Sequence, residues 1–317
     1  MNLWRYGDSN ILRSMGCHKM IRKVIRLLSI SSILILLSLS VIVQEAVAQS
    51  KKSFLWKIQS KTNIGYVFGS IHYLKKEFYP LDEKIENAFA HSDILAVEAN
   101  INDIKKGDIQ KLIGSAFYPE NETLEKNIST ETYEMVKKEL VGLSLPPEVI
   151  NKQRPWFLAL TLTSLETLKL GFDPRYGIDN YFVSKATGKK IFELESFDYQ
   201  IGLFSKLSDK DQELFLMYTL KDLNILKQEL DGLIQAWTSG DTKGTELILT
   251  KSLEEDKRLS PIYEKLVYER NRKMASKIED YLKTKETYFV IIGAGHLVGN
   301  QGIIEILKGK GFLVEQL

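Results

Sequence analysis

Cysteine is almost missing from this chain: Cys17 is the single one among 317 residues. A lone thiol so near the N-terminus excludes a disulfide framework and leaves no cysteine metal ligand in the body of the protein. Histidine is scarce as well, with four in all. No stretch is rich in proline or in glycine and serine, and no low-complexity tract appears, which leaves the composition of an ordinary globular protein. A strong charge of one sign is absent too. The net charge is +2, and six of the 43 basic residues but only two of the 41 acidic ones (Asp8, Glu45) fall within residues 1–48. The remainder is therefore slightly acidic, and no electrostatic footprint for nucleic acid exists.

What is present begins with a targeting pattern. Lys19, Arg22, Lys23 and Arg26 precede an apolar run over 27–43 that only serines interrupt, and Ala46-Val47-Ala48 supplies small residues where a signal peptidase reads. Residues 1–48 are expected to be a signal peptide cleaved after Ala48, with Met15 or Met20 as alternative starts. The run is shorter than the ~20 apolar residues of a comfortable span, so no stable membrane span is expected after cleavage. An extracytoplasmic protein follows, periplasmic or secreted. Residues 49–317 suffice for a core that needs no disulfide staples, and they read as one domain.

Cys17 and His18 would leave with the leader, so three histidines remain: His72, His91 and His296. Two close matching segments. Tyr66-Val67-Phe68-Gly69-Ser70-Ile71-His72 and Val290-Ile291-Ile292-Gly293-Ala294-Gly295-His296 are apolar runs that break at glycine and reach histidine three residues later. After each come a helical stretch and a second apolar run ending in glutamate, at Glu98 and Glu315. The expected fold class is α/β: two β-GxxH-α-β units sharing a central sheet. Between them, residues 101–285 read as a mostly helical insertion, with helices over 130–140, 156–170, 178–186, 209–220, 222–239, 241–253 and 261–283 and one strand over 189–195. A hairpin over 54–69 and a helix over 81–90 complete the front.

Glycine at a strand end permits a sharp turn and a close approach. The histidine beyond it then projects at the carboxyl edge of the sheet, where α/β proteins place their sites. Glu98 ends the adjoining strand and should share that rim. Two imidazoles and a carboxylate suit a divalent transition metal with positions left for water and substrate. Glu195 and Asp179 are further ligand candidates, at a strand end and after a glycine turn. Asn271 is a poor helix former inside a helix, which favours a polar role. His91 ends an amphipathic helix and reads as a partner of its C-terminal dipole; Glu315 reads as exposed.

Phe68-Gly69-Ser70-Ile71-His72, Leu95-Ala96-Val97-Glu98, Arg154-Pro155-Trp156, Gly177-Ile178-Asp179, Leu194-Glu195 with Gln200, Arg270-Asn271 and Gly293-Ala294-Gly295-His296-Leu297 occur in that order. The set resembles the TraB/GumN-like family over 54–317, is similar to the Tiki metalloproteases and, more distantly, to erythromycin-esterase and ChaN-like folds. Ser70 stands where many such relatives carry threonine. The resemblance implies that His72, His296 and Glu98 form the catalytic centre, with a divalent cation such as Mn²⁺ or Co²⁺, and Zn²⁺ as a further candidate. It also implies hydrolysis of a peptide or small-molecule substrate, with Arg270 and Asn271 orienting the carboxylates or polarising a carbonyl. Two other readings share these residues. One is a metal-independent His/Glu hydrolase of the esterase type, and the other a ChaN-like haem- or metal-binding protein, which would show a Soret band.

Overall fold

Six short runs of apolar and β-branched residues become one mixed sheet in the computed structural model, which describes residues 52–100 and 103–317. The leader expected over 1–48 lies outside the described residues. In chain order the strands are β1 (Leu55–Gln59), β2 (Ile64–Ser70), β3 (Ile94–Val97), β4 (Lys190–Glu193), β5 (Tyr288–Gly293) and β6 (Leu313–Gln316). Their spatial order is β4-β3-β5-β2-β1-β6, and all run parallel except β1. β3 and β5 lie inside the sheet with both faces covered, so they read as unbroken apolar runs. β4 and β6 close the two edges and are largely exposed. The α/β class expected from the sequence is the one observed.

The helices are α1 (Glu83–Ala90), α2 (Lys106–Ala116), α3 (Thr130–Leu143), α4 (Pro155–Lys169), α5 (Ile178–Lys185), α6 (Phe197–Ser205), α7 (Asp209–Asp222), α8 (Leu226–Thr238), α9 (Thr242–Glu255), α10 (Glu269–Tyr281) and α11 (Ile303–Gly309). Local chemistry sets their starts. Asp82, Ser129, Ser196, Ser208 and Asp241 each accept a backbone N–H at a helix N-terminus. Pro155 occupies the first turn of α4, where its missing N–H costs nothing.

Helices α2 and α6 were not expected from the sequence. The helix expected from 222 starts only at Leu226, because α7 runs on through Asp222. The helix expected over 261–283 runs from Ser260 to Tyr281, but a π-helical turn at Glu264–Tyr268 interrupts its spacing just before α10. π turns recur at functional sites because they re-aim the side chains that follow, and the ones that follow here are Arg270 and Asn271.

The sheet core draws in α1, α5, α10 and Trp237 of α8. The insertion also builds a core of its own: Val136 and Leu140 of α3, Leu158 and Leu162 of α4, and Leu216 and Leu220 of α7 bury one another. Arg154-Pro155-Trp156 belongs to this layer. Trp156 is fully buried and its indole N–H donates to the Ser115 carbonyl, while Arg154 covers the Tyr118 ring. Among the described residues no helix is long and apolar enough to cross a membrane.

Candidate active site

Parallel pairing of β2 with β5 brings the two Gly-x-x-His segments to one edge. Gly69 pairs with Ile292 and Ser70 with Gly293, so the motifs leave the sheet one residue out of step. On the other side of β5, β3 and β4 continue their ladder past the strand ends. Leu194 N donates to the Val97 carbonyl (2.8 Å) and Glu195 N to the Glu98 carbonyl (2.7 Å), which sets Glu98 and Glu195 side by side at the same carboxyl edge.

Gly293 is the floor of the cluster. A methyl group placed there would stand 3.2 Å from Glu98 Oε1, 3.6 Å from His72 Nε2 and 3.7 Å from His296 Cδ2. Both rings and the carboxylate therefore lie within 4 Å of one point. The Gly293 N–H itself donates to Glu98 Oε1 at 2.7 Å.

Arg270 enters from the first turn of α10 and uses all five of its N–H donors. Nε reaches both oxygens of Glu195 (2.9 and 3.1 Å), Nη2 reaches Glu195 Oε2 (2.8 Å) and Glu98 Oε2, and Nη1 reaches the Leu266 carbonyl (3.1 Å) and His296 Nε2 (2.9 Å). A guanidinium can only donate, so His296 Nε2 is an acceptor and the ring proton sits on Nδ1. That Nδ1–H donates to Asn271 Oδ1 at 2.6 Å, and Asn271 Nδ2 donates to the Gln301 carbonyl at 2.8 Å. Asn271 thus fixes the His296 tautomer and is a positioning residue. Gln200, from α6, donates to Glu195 Oε2 (3.1 Å) and Glu98 Oε2 (3.3 Å).

His72 is held from the opposite side, its Nδ1 on Asp179 Oδ2 at 2.8 Å. Gly177 makes this pairing reachable. The start of α5 docks directly on the β2 exit, with Ile178 N donating to the Ile71 carbonyl (3.1 Å). A methyl on Gly177 would stand 2.2 Å from the carbonyl oxygen of His72. Gly177→Ala is accordingly expected to push α5 off the strand end and separate Asp179 from His72. A destabilisation of about 1–3 kcal/mol should appear in chemical denaturation, with a matching loss of activity.

The electrostatics follow from these contacts. The Asp179 carboxylate against Nδ1 raises His72, whose ring is 60% exposed to solvent, to about 9, which favours its charged form at neutral pH. Burial lowers His296 to about 4, leaving it neutral. Burial alone would push the Glu98 carboxyl up, but His296, Arg270, His72 and the Gly293 N–H together hold it down at about 2.

The residues meet the chemical demands of a divalent cation in one respect and not in another. Each imidazole has its Nδ1 tied to an acceptor behind it, Asp179 or Asn271, which is how metal-ligating histidines are oriented. Glu98, Glu195 and Asp179 also outnumber the two cationic groups, Arg270 and His72. Yet among the described residues no three His, Cys, Asp or Glu side chains stand ready to hold a metal ion. Arg270 Nη1 lies on the one nitrogen of His296 that could ligate. For His296 to help hold a cation, that hydrogen bond would have to be given up, and His72 would have to lose its second ring proton. Glu195 and Asp179, expected as further ligands, stand behind the cluster instead, their oxygens on Arg270 and on His72.

His91 ends α1 with its Nδ1 on the Asn87 carbonyl (2.7 Å), away from this edge, and Glu315 is exposed. Gln200 appeared in the sequence only as part of a resemblance. Nothing in the pattern of α6, apolar at Phe197, Ile201, Leu203 and Phe204 alike, announced a helix that would aim it.

A family model described as the TraB/PrgY/gumN family matches residues 54–316. Among curated proteins, similarity extends to a "Metalloprotease TIKI homolog" of Amphimedon queenslandica, 26% identical over 84% of this chain and 62% of that protein. It extends also to "Metalloprotease TIKI2" of Danio rerio (23% identical, 83% of this chain, 60% of the relative) and "Metalloprotease TIKI1" of Homo sapiens (24%, 83%, 61%). The chain spans about three-fifths of the length of these relatives. No solved structure matches it.

Proposed function

This chain belongs to the TraB/PrgY/gumN family, and from that premise we propose that it is a metal-dependent hydrolase of peptide bonds that acts outside the cytoplasm after loss of residues 1–48. The observation that carries the reading is the convergence of Glu98 Oε1, His72 Nε2 and the His296 ring on the face of Gly293. His72, His296 and Glu98 would hold the cation, which is Mn²⁺, Co²⁺ or Zn²⁺. Bound there, it would supply Lewis-acid polarisation of the scissile carbonyl.

The chain's own groups do the rest. Glu98 is ionised at neutral pH and would either complete the coordination or accept a proton from the attacking water. Asp179 and Asn271 each accept from the Nδ1–H of one imidazole and so turn its Nε2 toward the cluster; His72 would give up its Nε2 proton to ligate the cation. Arg270, fixed by Glu195, places positive charge where the carbonyl oxygen becomes anionic. The names of the relatives support the metal and the peptide substrate, and the N-terminal pattern supports export.

A second reading is favoured by one observation, the Arg270 hydrogen bond to His296 Nε2. With that bond kept, His72 as a charged acid and Glu98 as a base make a metal-independent hydrolase. The two part cleanly in one experiment on the purified protein, which follows cleavage of a quenched fluorescent peptide beside elemental analysis. Metal dependence requires chelator to abolish activity, Mn²⁺ or Co²⁺ to restore it, and His72→Ala and His296→Ala to lose bound metal. Full activity in chelator with no metal in the protein would sink it and leave the metal-independent mechanism.

A further inference from the structure

We infer that the substrate carries apolar side chains beside the bond to be cleaved, and that one cavity receives them. The chemistry rests on the hydrolase reading above; the binding preference does not. A cavity of about 530 Å³ opens beside the cluster, with Ser70, His72, Gly293 and His296 on one wall. Its size falls within the ~300–1,000 Å³ of small-molecule sites, enough for several apolar side chains.

The facing wall belongs to the helical insertion. Leu226, Leu230 and Leu233 of α8, Leu249 of α9, and Ile262 and Leu266 from the helical turns that lead into α10 line it. Leu249 presses so near the β5 exit that a methyl on Gly295 would come within 2.9 Å of its Cδ1. The same wall carries one carboxylate, Asp222, bonded by Ser252 Oγ at 3.3 Å and raised in pKa by burial.

A separate observation marks where the peptide backbone lies. Ser70 is 2% exposed and lines the cavity, and its Oγ has no hydrogen-bond partner among the described residues. Buried hydroxyls are almost always paired. This one stands at the strand end beside the histidines, closed to water as it lies, and a rotation about its Cα–Cβ bond is what would let a substrate carbonyl accept from it. The aliphatic wall and the orphan donor together describe a peptide whose apolar side chains fill the cavity while its backbone lies along the sheet edge.

The test uses two labelled peptides of equal length with an uncleavable reduced amide, one flanked by leucine and phenylalanine and the other by serine and aspartate. Fluorescence polarisation should show the apolar peptide binding at least ~10-fold tighter, a typical return for apolar groups in a fitted pocket. Leu230→Gln and Leu249→Gln should erase that preference, and Ser70→Ala should weaken both peptides by a similar factor. Equal binding of the two peptides overturns the inference. So does a preference that survives both leucine substitutions in variants with wild-type melting curves, or a Soret band assigning the cavity to a tetrapyrrole. Cleavable versions of the same peptides separate the two levels: if the apolar one binds preferentially but neither is cut with any metal, it is the hydrolase reading that falls.

Discussion

Arg270→Leu should lower the unfolding free energy by on the order of 3–5 kcal/mol at neutral pH, the usual result of stripping one partner from a buried ion pair. The side chains of Arg270, Glu98 and Glu195 are 12%, 8% and 3% exposed, so two carboxylates would be left facing each other with little water. The pH dependence identifies the cause. Glu98 is held at about 2 against an ordinary value of 4.5, so in the wild type its contribution is complete above 4.5 and is lost as pH falls through 2. In the variant the unpaired carboxyls bind protons more readily, and its stability should approach that of the wild type as the medium is acidified. Urea denaturation at neutral pH and near pH 3 measures both. A deficit that stays constant with pH would mean that Arg270 matters through packing instead.

The second large effect is on turnover. Glu98→Gln keeps the shape of the side chain and an acceptor for the Gly293 N–H, while Arg270 retains Glu195. The fold should survive, and kcat should fall by about 10²–10⁴, the range for loss of a general base. Metal titration of the same variant then distinguishes its roles. Unchanged affinity with a lost kcat assigns Glu98 as the base; a matching fall in affinity makes it a ligand. Activity within a few-fold of wild type would exclude either role.

The strands and the two histidines at their ends were legible in the sequence because each depends on a local pattern. A buried central strand must be apolar throughout, and a glycine followed by histidine at its end shows against that background. The position of Glu98 followed for the same reason. What pairs with what was not legible. Nothing local tells that Arg270 would spend its donors on Glu195, Glu98 and His296, since those residues sit in four separate elements. Asp179 and Glu195 are carboxylates near the site, and residue type alone could not tell a ligand from a group that holds a ligand in place. The π turn before α10 was hidden for another reason. Glu264, Lys265 and Leu266 are good helix formers, and a widened turn changes hydrogen-bond spacing without requiring unusual side chains. The cavity was equally hidden, because Leu226, Leu230 and Leu233 read as any amphipathic face.

The placement of β5 carries a temporal consequence. It is the next-to-last strand made, yet it sits between β2 and β3, which are made near the start. A chain emerging from its N-terminus must leave that slot open until residues 288–293 arrive, and contacts so distant in sequence form slowly. Until then Glu98 lacks the Gly293 N–H, His296 does not exist, and His72 faces an incomplete edge. The cluster at this edge is therefore complete only once residues 288–296 have been made and closed into the sheet.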